Sequence, residues 1–429
     1  MKLRMLVCLC LCLSLGTQAQ DLTRVRQTID TLCSPFMDGR GYRHDGSQKA
    51  AFYLAEEFRK IGLRTFADAP NYLQPFKLTV NTFDKAVLRL NGKKLRLAYD
   101  YLPHPAARGG KGRKRLLFLD SSFVWDTSKR QALLQMKRPG RYAVVTDERS
   151  LAYLQEDSLI ARKLQQTGAW IDFVPRVMGS LAPRAVLVPT FQVHDSLAVL
   201  VHASKRLRFK LKQKQIAGYP CYNVAGYVEG SRYPQRFLVI TAHYDHLGSI
   251  GEVYFPGAND NASGVSMLLD LARYFKAHPL PYSVAFIAFG AEEIGLKGSL
   301  HYVQHPLFPL SDIRFLLNLD LVGTGEEGIT VVNGKVYEEA FRLLTRIDLQ
   351  KQYVASIEAR GIAANSDHYF FSRMGVPAFF IYARGGSQAY HDPSDRPQAL
   401  SLAAYRNLFS LIVDFFRALS EDAHNTSQP

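Results

Sequence analysis

Five stretches of the 429-residue chain place imidazoles or carboxylates directly after apolar runs. His243-Tyr244-Asp245-His246 follows LVITA, and Glu292-Glu293 follows VAFIAFG. Asp320 ends the run IRFLLNL, and Tyr390-His391-Asp392 lies in the loop after PAFFIY. Asp260 sits in GANDNASG, at the start of a helical pattern. Zinc accepts imidazole nitrogen and carboxylate oxygen. Two such ions about 3.5–4 Å apart need a bridging ligand, which a carboxylate provides. A further carboxylate outside the coordination sphere is needed to take a proton from water. His243, Asp260, Glu293, Asp320 and His391 supply the ligands of such a site, and Glu292 is left as the base. Neighbouring side chains leave a loop in different directions, so Glu292 and Glu293 can divide these roles. Taken singly, each residue has an ordinary reading: a loop histidine, a helix N-cap at Asp260, a solvated acidic pair. The set raises them together.

The elements that must position these groups are legible from Tyr222 onward. Strand-like apolar runs occur at 223–228, 237–242, 283–289, 313–319, 328–332 and 376–382. Helical patterns at 262–277, 296–304, 336–349, 367–374 and 400–419 separate most of them. Continuous apolar strands alternating with helices predict a three-layer α/β fold, a mostly parallel twisted sheet with helices on both faces. In such sheets ligands bind beyond the carboxyl ends of the strands, where the candidate residues stand.

The rest of the chain is less chemical. Apolar residues make up 47% and charged residues 21%, a globular composition. Residues 1–19 read as a signal peptide: Lys2 and Arg4 precede a short apolar run, Leu6 to Leu15, and Thr17-Gln18-Ala19 offers a cleavage site near Ala19. The expectation is therefore an exported protein, periplasmic or extracellular, without a transmembrane segment. Beyond that leader only Cys33 and Cys221 remain, to pair or to stay as buried thiols. Residues 20–75 read as a helical N-terminal portion of the catalytic domain, with Ser47 opening an amphipathic helix that Gly62 ends. Residues 76–215 read as a smaller inserted β-rich domain, with short strands at 86–90, 115–119, 141–145 and 185–188 between basic loops. Residues 216–425 form the rest of the catalytic domain. The net charge of +15 is concentrated in RGGKGRKR (108–115) and KRLRFKLKQK (205–214). No nucleic-acid-binding module accompanies these runs, so a solvated face or an attraction to anionic surfaces or acidic peptides is expected.

AHYDHLG, GANDNASG, FGAEEIGLKGS, NLDLVG, SDHYFF and YHDPSD occur in this order, and from about Tyr222 to the C-terminus the chain resembles the M28 family of co-catalytic zinc peptidases. The resemblance implies a zinc-exopeptidase-like fold and two Zn2+ per chain. It places His243 and Asp320 on one ion, Glu293 and His391 on the other, and Asp260 between them. It makes Glu292 the general base and gives Asp245 the task of fixing the His243 tautomer. It implies an aminopeptidase acting on peptides with a free N-terminus, in which the ions activate a water that attacks the scissile carbonyl. The middle segment resembles the protease-associated domain of secreted relatives, through the Ala161 to Ala169 run and VPTFQV.

Other functions remain open at this point. Glutaminyl-peptide cyclotransferases resemble this fold with a single zinc, some relatives are carboxypeptidases, and some are non-catalytic binding ectodomains. The paired ligand set favours hydrolysis. Ser366-Asp367-His368 is read as a helix cap followed by packing residues, because no G-x-S-x-G elbow accompanies it. His246 is read as structural or at the rim. Tyr382, Gly385, Gly386 and Tyr390 are candidates to shape a substrate pocket.

Overall fold

The computed structural model describes residues 21–119, 123, 125–146 and 148–421. The expected leader, 1–19, lies outside them. Strands β1 (Leu73–Leu90), β2 (Lys93–Lys94), β3 (Tyr101–Pro103), β4 (Gly110–Leu119), β5 (Tyr142–Thr146), β6 (Ala169–Val174), β7 (Thr190–His194) and β8 (Arg206–Val228) precede the candidate motifs. Those motifs are carried by β9 (Tyr233–His243), the short hairpin β10 (Gly248–Ile250) and β11 (Val253–Phe255), β12 (Tyr282–Phe289), β13 (Ile313–Leu319), β14 (Gly328–Val332), β15 (Ile357–Ala359) and β16 (Ala378–Arg384). All but β10 and β11 join one sheet, in the order β15-β14-β16-β13-β9-β12-β8-β4-β5-β6-β7-β3, with β1 along β8 and β2 on β1.

The C-terminal region of the sheet is mostly parallel: β9 pairs in parallel with β12 and β13, and β13 with β16. Such strands are covered on both faces, which is why they read as continuous apolar runs. On one face Ile240, Phe286, Leu317 and Ile381 share a core with Leu268 and Leu271 of helix Gly264–Ala277 and Phe415 of helix Tyr405–Glu421. On the other, Val239, Ile287 and Leu316 meet Tyr302 of helix Lys297–Gln304 and Phe371 of helix His368–Arg373. Each such side chain, fully buried, stabilises the fold by roughly 1.5–3 kcal/mol. Helix Gly46–Ile61 lies on the first face and ends at Gly62, whose φ of +77° is the left-handed cap that glycine adopts at least cost.

The middle segment is a layered α/β unit of its own. β4, β5, β6 and β7 are parallel, with helices Thr127–Leu134 and Ser158–Leu164 packing Leu133, Ile160 and Leu164 against Val144. Both expected edges of that segment fall inside strands, because β1 spans 73–90 and β8 spans 206–228. β8 is the shared spine: its end, 224–228, pairs with β12, while 206–211 pair with β4. The expected strand at 185–188 is a loop whose Val186 and Leu187 amides both donate to the Ala106 carbonyl. The strand starts only at Thr190, after Pro189, which has no N–H to give a ladder. Cys33 and Cys221 are both buried and free. Among the described residues no helix is long and apolar enough to cross a membrane.

Candidate metal centre

His243 is the last residue of β9, Glu292 and Glu293 follow β12, Asp320 follows β13, and Asp260 lies in the turn Ala258–Ser263 before helix Gly264–Ala277. His391 arrives from the loop after β16. Three residues among or beside these groups have left-handed backbone geometry. Ala291, Leu321 and His391 have φ of +60°, +56° and +51°, a left-handed geometry that costs a non-glycine residue about 1–2 kcal/mol.

All five expected ligands meet. His243 Nε2 is 3.4 Å from Asp260 Oδ1 and 3.4 Å from Asp320 Oδ2. His391 Nε2 is 3.2 Å from Asp260 Oδ2 and 3.1 Å from Glu293 Oε2. Asp260 thus turns one oxygen to each imidazole. Two groups of donors result, His243, Glu292 and Asp320 in one and His246, Asp260, Glu293 and His391 in the other, each with its donor atoms within 4.8 Å of one another. A tetrahedron of bonds about 2.0–2.1 Å long has edges of about 3.3 Å, so the separations match those of ligands around zinc. The donor types fit as well. Asp320 Oδ1 and His246 Nε2 are buried without a hydrogen-bond partner, and a buried carboxylate cluster of this size needs cations to offset desolvation.

His246, expected as structural or at the rim, is fully buried, and its Nδ1 lies 2.5 Å from Glu293 Oε1. Asp245 is also fully buried, but its carboxylate stands 3.9 Å from His243 Nδ1, whose nearer contact is the Asp245 carbonyl at 3.2 Å. The carboxylate instead accepts from Tyr42 Oη at 2.8 Å and from the amides of Glu292 and Glu293 at 3.0 and 3.4 Å. It holds the Glu292-Glu293 turn more than it orients the ring. Ser366 does not cap the helix with its side chain. Its hydroxyl donates to Asp320 Oδ2 at 3.2 Å and accepts from Asn318 Nδ2, while Asn318 Oδ1 accepts from Thr241.

Burial raises the Glu292 carboxyl well above the ordinary carboxylate range, with the Glu293, Asp367 and Asp320 charges adding to it against His243. Burial also works against Asp260, yet hydrogen bonds from the His243 and His391 rings hold its carboxyl well below that range. Burial opposes ionisation of Glu293 too, but the His391 and His246 charges outweigh it and bring the carboxyl to about 2. Two adjacent glutamates are thereby driven in opposite directions.

Several further groups complete the site. Arg40, fully buried, donates to the carbonyls of Tyr244, Pro256, Gly257, Asp260 and Leu32, clamping the loops that carry His243 and Asp260. Asp395 accepts from the amides of Asn259 and Asp260; its place in YHDPSD was the available signal. The middle segment contributes Gly179, whose carbonyl lies 2.8 Å from His391 Nδ1 and whose amide donates to the His391 carbonyl at 2.9 Å. Beside the donors opens a cavity of about 220 Å³, walled by Phe380, Tyr382, Tyr390 and Leu321 with Arg360 and Asn365. Tyr382 and Tyr390 were expected there; Gly385 and Gly386 do not line it.

Residues 223–416 match the model of Peptidase family M28. The chain is 33% identical over 213 residues to Aminopeptidase YwaD of Bacillus subtilis (strain 168), a match covering 44% of this chain and 43% of that protein. The match thus spans less than half the length of this curated relative. In three dimensions the chain resembles BSAP, a zinc aminopeptidase from Bacillus subtilis, with a TM-score of 0.69 at 20% identity, covering 92% of this chain and 94% of the other. An aminopeptidase from Aneurinibacillus sp. strain AM-1 gives 0.67 at 19% identity, covering 94% of each chain. At these identities the structural likeness establishes the fold.

Proposed function

Because residues 223–416 match the model of Peptidase family M28, we propose that the protein is a zinc-dependent exopeptidase, an aminopeptidase that removes N-terminal residues from peptides. The observation that carries this reading is the bridging pose of Asp260, one oxygen 3.4 Å from His243 and the other 3.2 Å from His391. The proposed cofactor is two Zn2+ per chain, held by His243 and Asp320, by Glu293 and His391, and by Asp260 in common, with His246 beside the second group. When bound, zinc supplies Lewis acidity and brings the pKa of a water towards neutrality.

The side chains account for the remaining steps. Glu292, buried and next to the donors without taking part in the closest contacts, accepts a proton from the attacking water and returns it to the leaving amine. Asp245 and Tyr42 keep the Glu292 backbone in place. The adjoining cavity, about the size of one side chain and its flanking peptide, receives the residue to be released. Export follows as a proposal from residues 1–19, with removal of the leader near Ala19.

The test is metal content together with hydrolysis of aminoacyl amides by the mature chain, before and after a chelator. About two zinc ions per chain and chelator-sensitive release of the first residue are expected. One ion per chain with cyclisation of N-terminal glutamine would replace the hydrolytic reading by a cyclotransferase, and a folded chain that holds no metal would end both.

A further inference from the structure

The two basic runs are facing strands rather than loops. β4 and β8 run antiparallel with Lys111 opposite Lys210, Arg113 opposite Arg208 and Arg115 opposite Arg206. On its other side β8 places Arg208 opposite Arg89 of β1, and Arg89 is opposite Lys94 of β2. Lys94, Arg89, Arg208 and Arg113 therefore form one row across four strands, about 14 Å wide at the usual strand spacing. Directly opposed residues share a face. The alternation along β8 says which: Leu207, Phe209 and Leu211 are buried, whereas Arg206, Arg208 and Lys210 are exposed. Lys111, Arg113 and Arg115 of β4 are exposed with them.

This charge is not neutralised by the nearby carboxylates among the described residues. Asp84, at this end of β1, pairs with Arg43, and Asp100 pairs with Arg96. Among the described residues none of the face's cations forms an ion pair with a carboxylate. Like charges directly opposite each other destabilise a sheet, so a face built for stability alone would interleave acids or threonines. Here the repulsion is kept across successive pairs.

We infer that this face docks on an anionic lipid bilayer. The surface is an extended run of strands with no aromatic ring among its exposed positions for bases to stack on. No helix projects from it to enter a groove. It also lacks an exposed large apolar side chain that would anchor an acidic peptide. It offers charge density spread over an area, which is what a layer of anionic headgroups matches. Docking is peripheral and weakens as salt screens the attraction. It does not depend on the peptidase reading or on bound metal.

The experiment is co-sedimentation of the full mature chain with vesicles of phosphatidylcholine alone or mixed with phosphatidylglycerol, at low and high salt. Binding to the mixed vesicles only, lost at high salt, is expected. Substituting Arg89→Gln, Arg113→Gln and Arg208→Gln together should weaken it about a hundredfold. The same three positions changed to lysine should retain it, and that variant also controls for folding. No binding to the mixed vesicles, equal binding to both kinds, or a glutamine variant that binds as well as the parent chain would overturn the proposal. Duplex DNA that displaces the chain from vesicles at equal phosphate concentration would also overturn it, making the face a nucleic-acid surface.

Discussion

From β9 to β16 the charged groups of interest are buried and gathered at strand ends; along β1, β4 and β8 they are exposed and spread over the strands themselves. Both regions belong to one sheet, but β9, β12, β13 and β16 pair in parallel whereas β1, β8 and β4 pair antiparallel. Among the described residues the groups of side chains able to hold a metal lie only in the first. Layered α/β architecture is thus not what makes the site. The difference lies in where the apolar pattern stops. From β9 to β16 strands are apolar on both faces, so the clustered carboxylates stand at their ends, where desolvation makes each one costly and a cation the remedy. In the middle segment these strands keep a wet face, where charge is screened and repulsion is tolerated.

The comparison can be broken at its strongest point first. Glu292→Gln should lower kcat by roughly 10²–10⁴-fold while zinc content, measured by atomic absorption, stays at the parent level. Retained turnover would remove Glu292 from the base role. Next is a cation buried in the catalytic region. Arg40→Met strands five carbonyls and should lower the unfolding free energy by about 3–5 kcal/mol in urea titrations. Arg208→Gln, on the exposed face, should change it by less than about 0.5 kcal/mol. Equal losses would mean that the two regions do not differ in how they carry charge.

A third test concerns a buried acid in the middle segment. Asp172 has an oxygen without a partner, and burial pushes its carboxyl from 3.8 up to about 6. The folded state then holds the proton more tightly than the unfolded chain. Stability from this group is complete below about pH 4 and is lost as the pH rises through about 6. Asp172→Asn should therefore be neutral in acid and stabilising above pH 6, by up to about 3 kcal/mol, read from denaturation curves across that window. The smallest effect tests the seam between the regions. A β-carbon at Gly179 would lie 2.5 Å from Leu247 Cδ1 and 3.2 Å from the Phe255 ring. Gly179→Val should shift the carbonyl from His391 and lower the affinity for one zinc about 10–100-fold, leaving the other in place in a stepwise titration. Equal loss of both ions would show that the middle segment does not support one side of the centre selectively.

What the sequence makes legible follows the same division. Apolar runs at 237–242, 283–289 and 313–319 form β9, β12 and β13 because strands buried on both faces leave an uninterrupted signature, and a His, Glu or Asp just beyond one stands out. β8 is legible only in its last six residues. Its first half alternates arginine and lysine with buried leucine and phenylalanine, and the charges hide the strand. Tyr42, Arg40, Gly179 and Ser366 carry no local mark of their roles. Each reaches the centre across a tertiary contact, and in the case of Gly179 through backbone atoms that any residue possesses.

The order of motifs along the chain was sufficient to pick out five side chains that meet in the fold, His243, Asp260, Glu293, Asp320 and His391, since a parallel sheet restricts where such groups can stand. It was not sufficient to say that Asp245 also accepts from the amides of the Glu292 turn, that His246 is buried against Glu293, or that two basic runs face each other. Those outcomes depend on distances between segments far apart in sequence, which are set when helices and strands pack and one arrangement fills space with its polar groups satisfied.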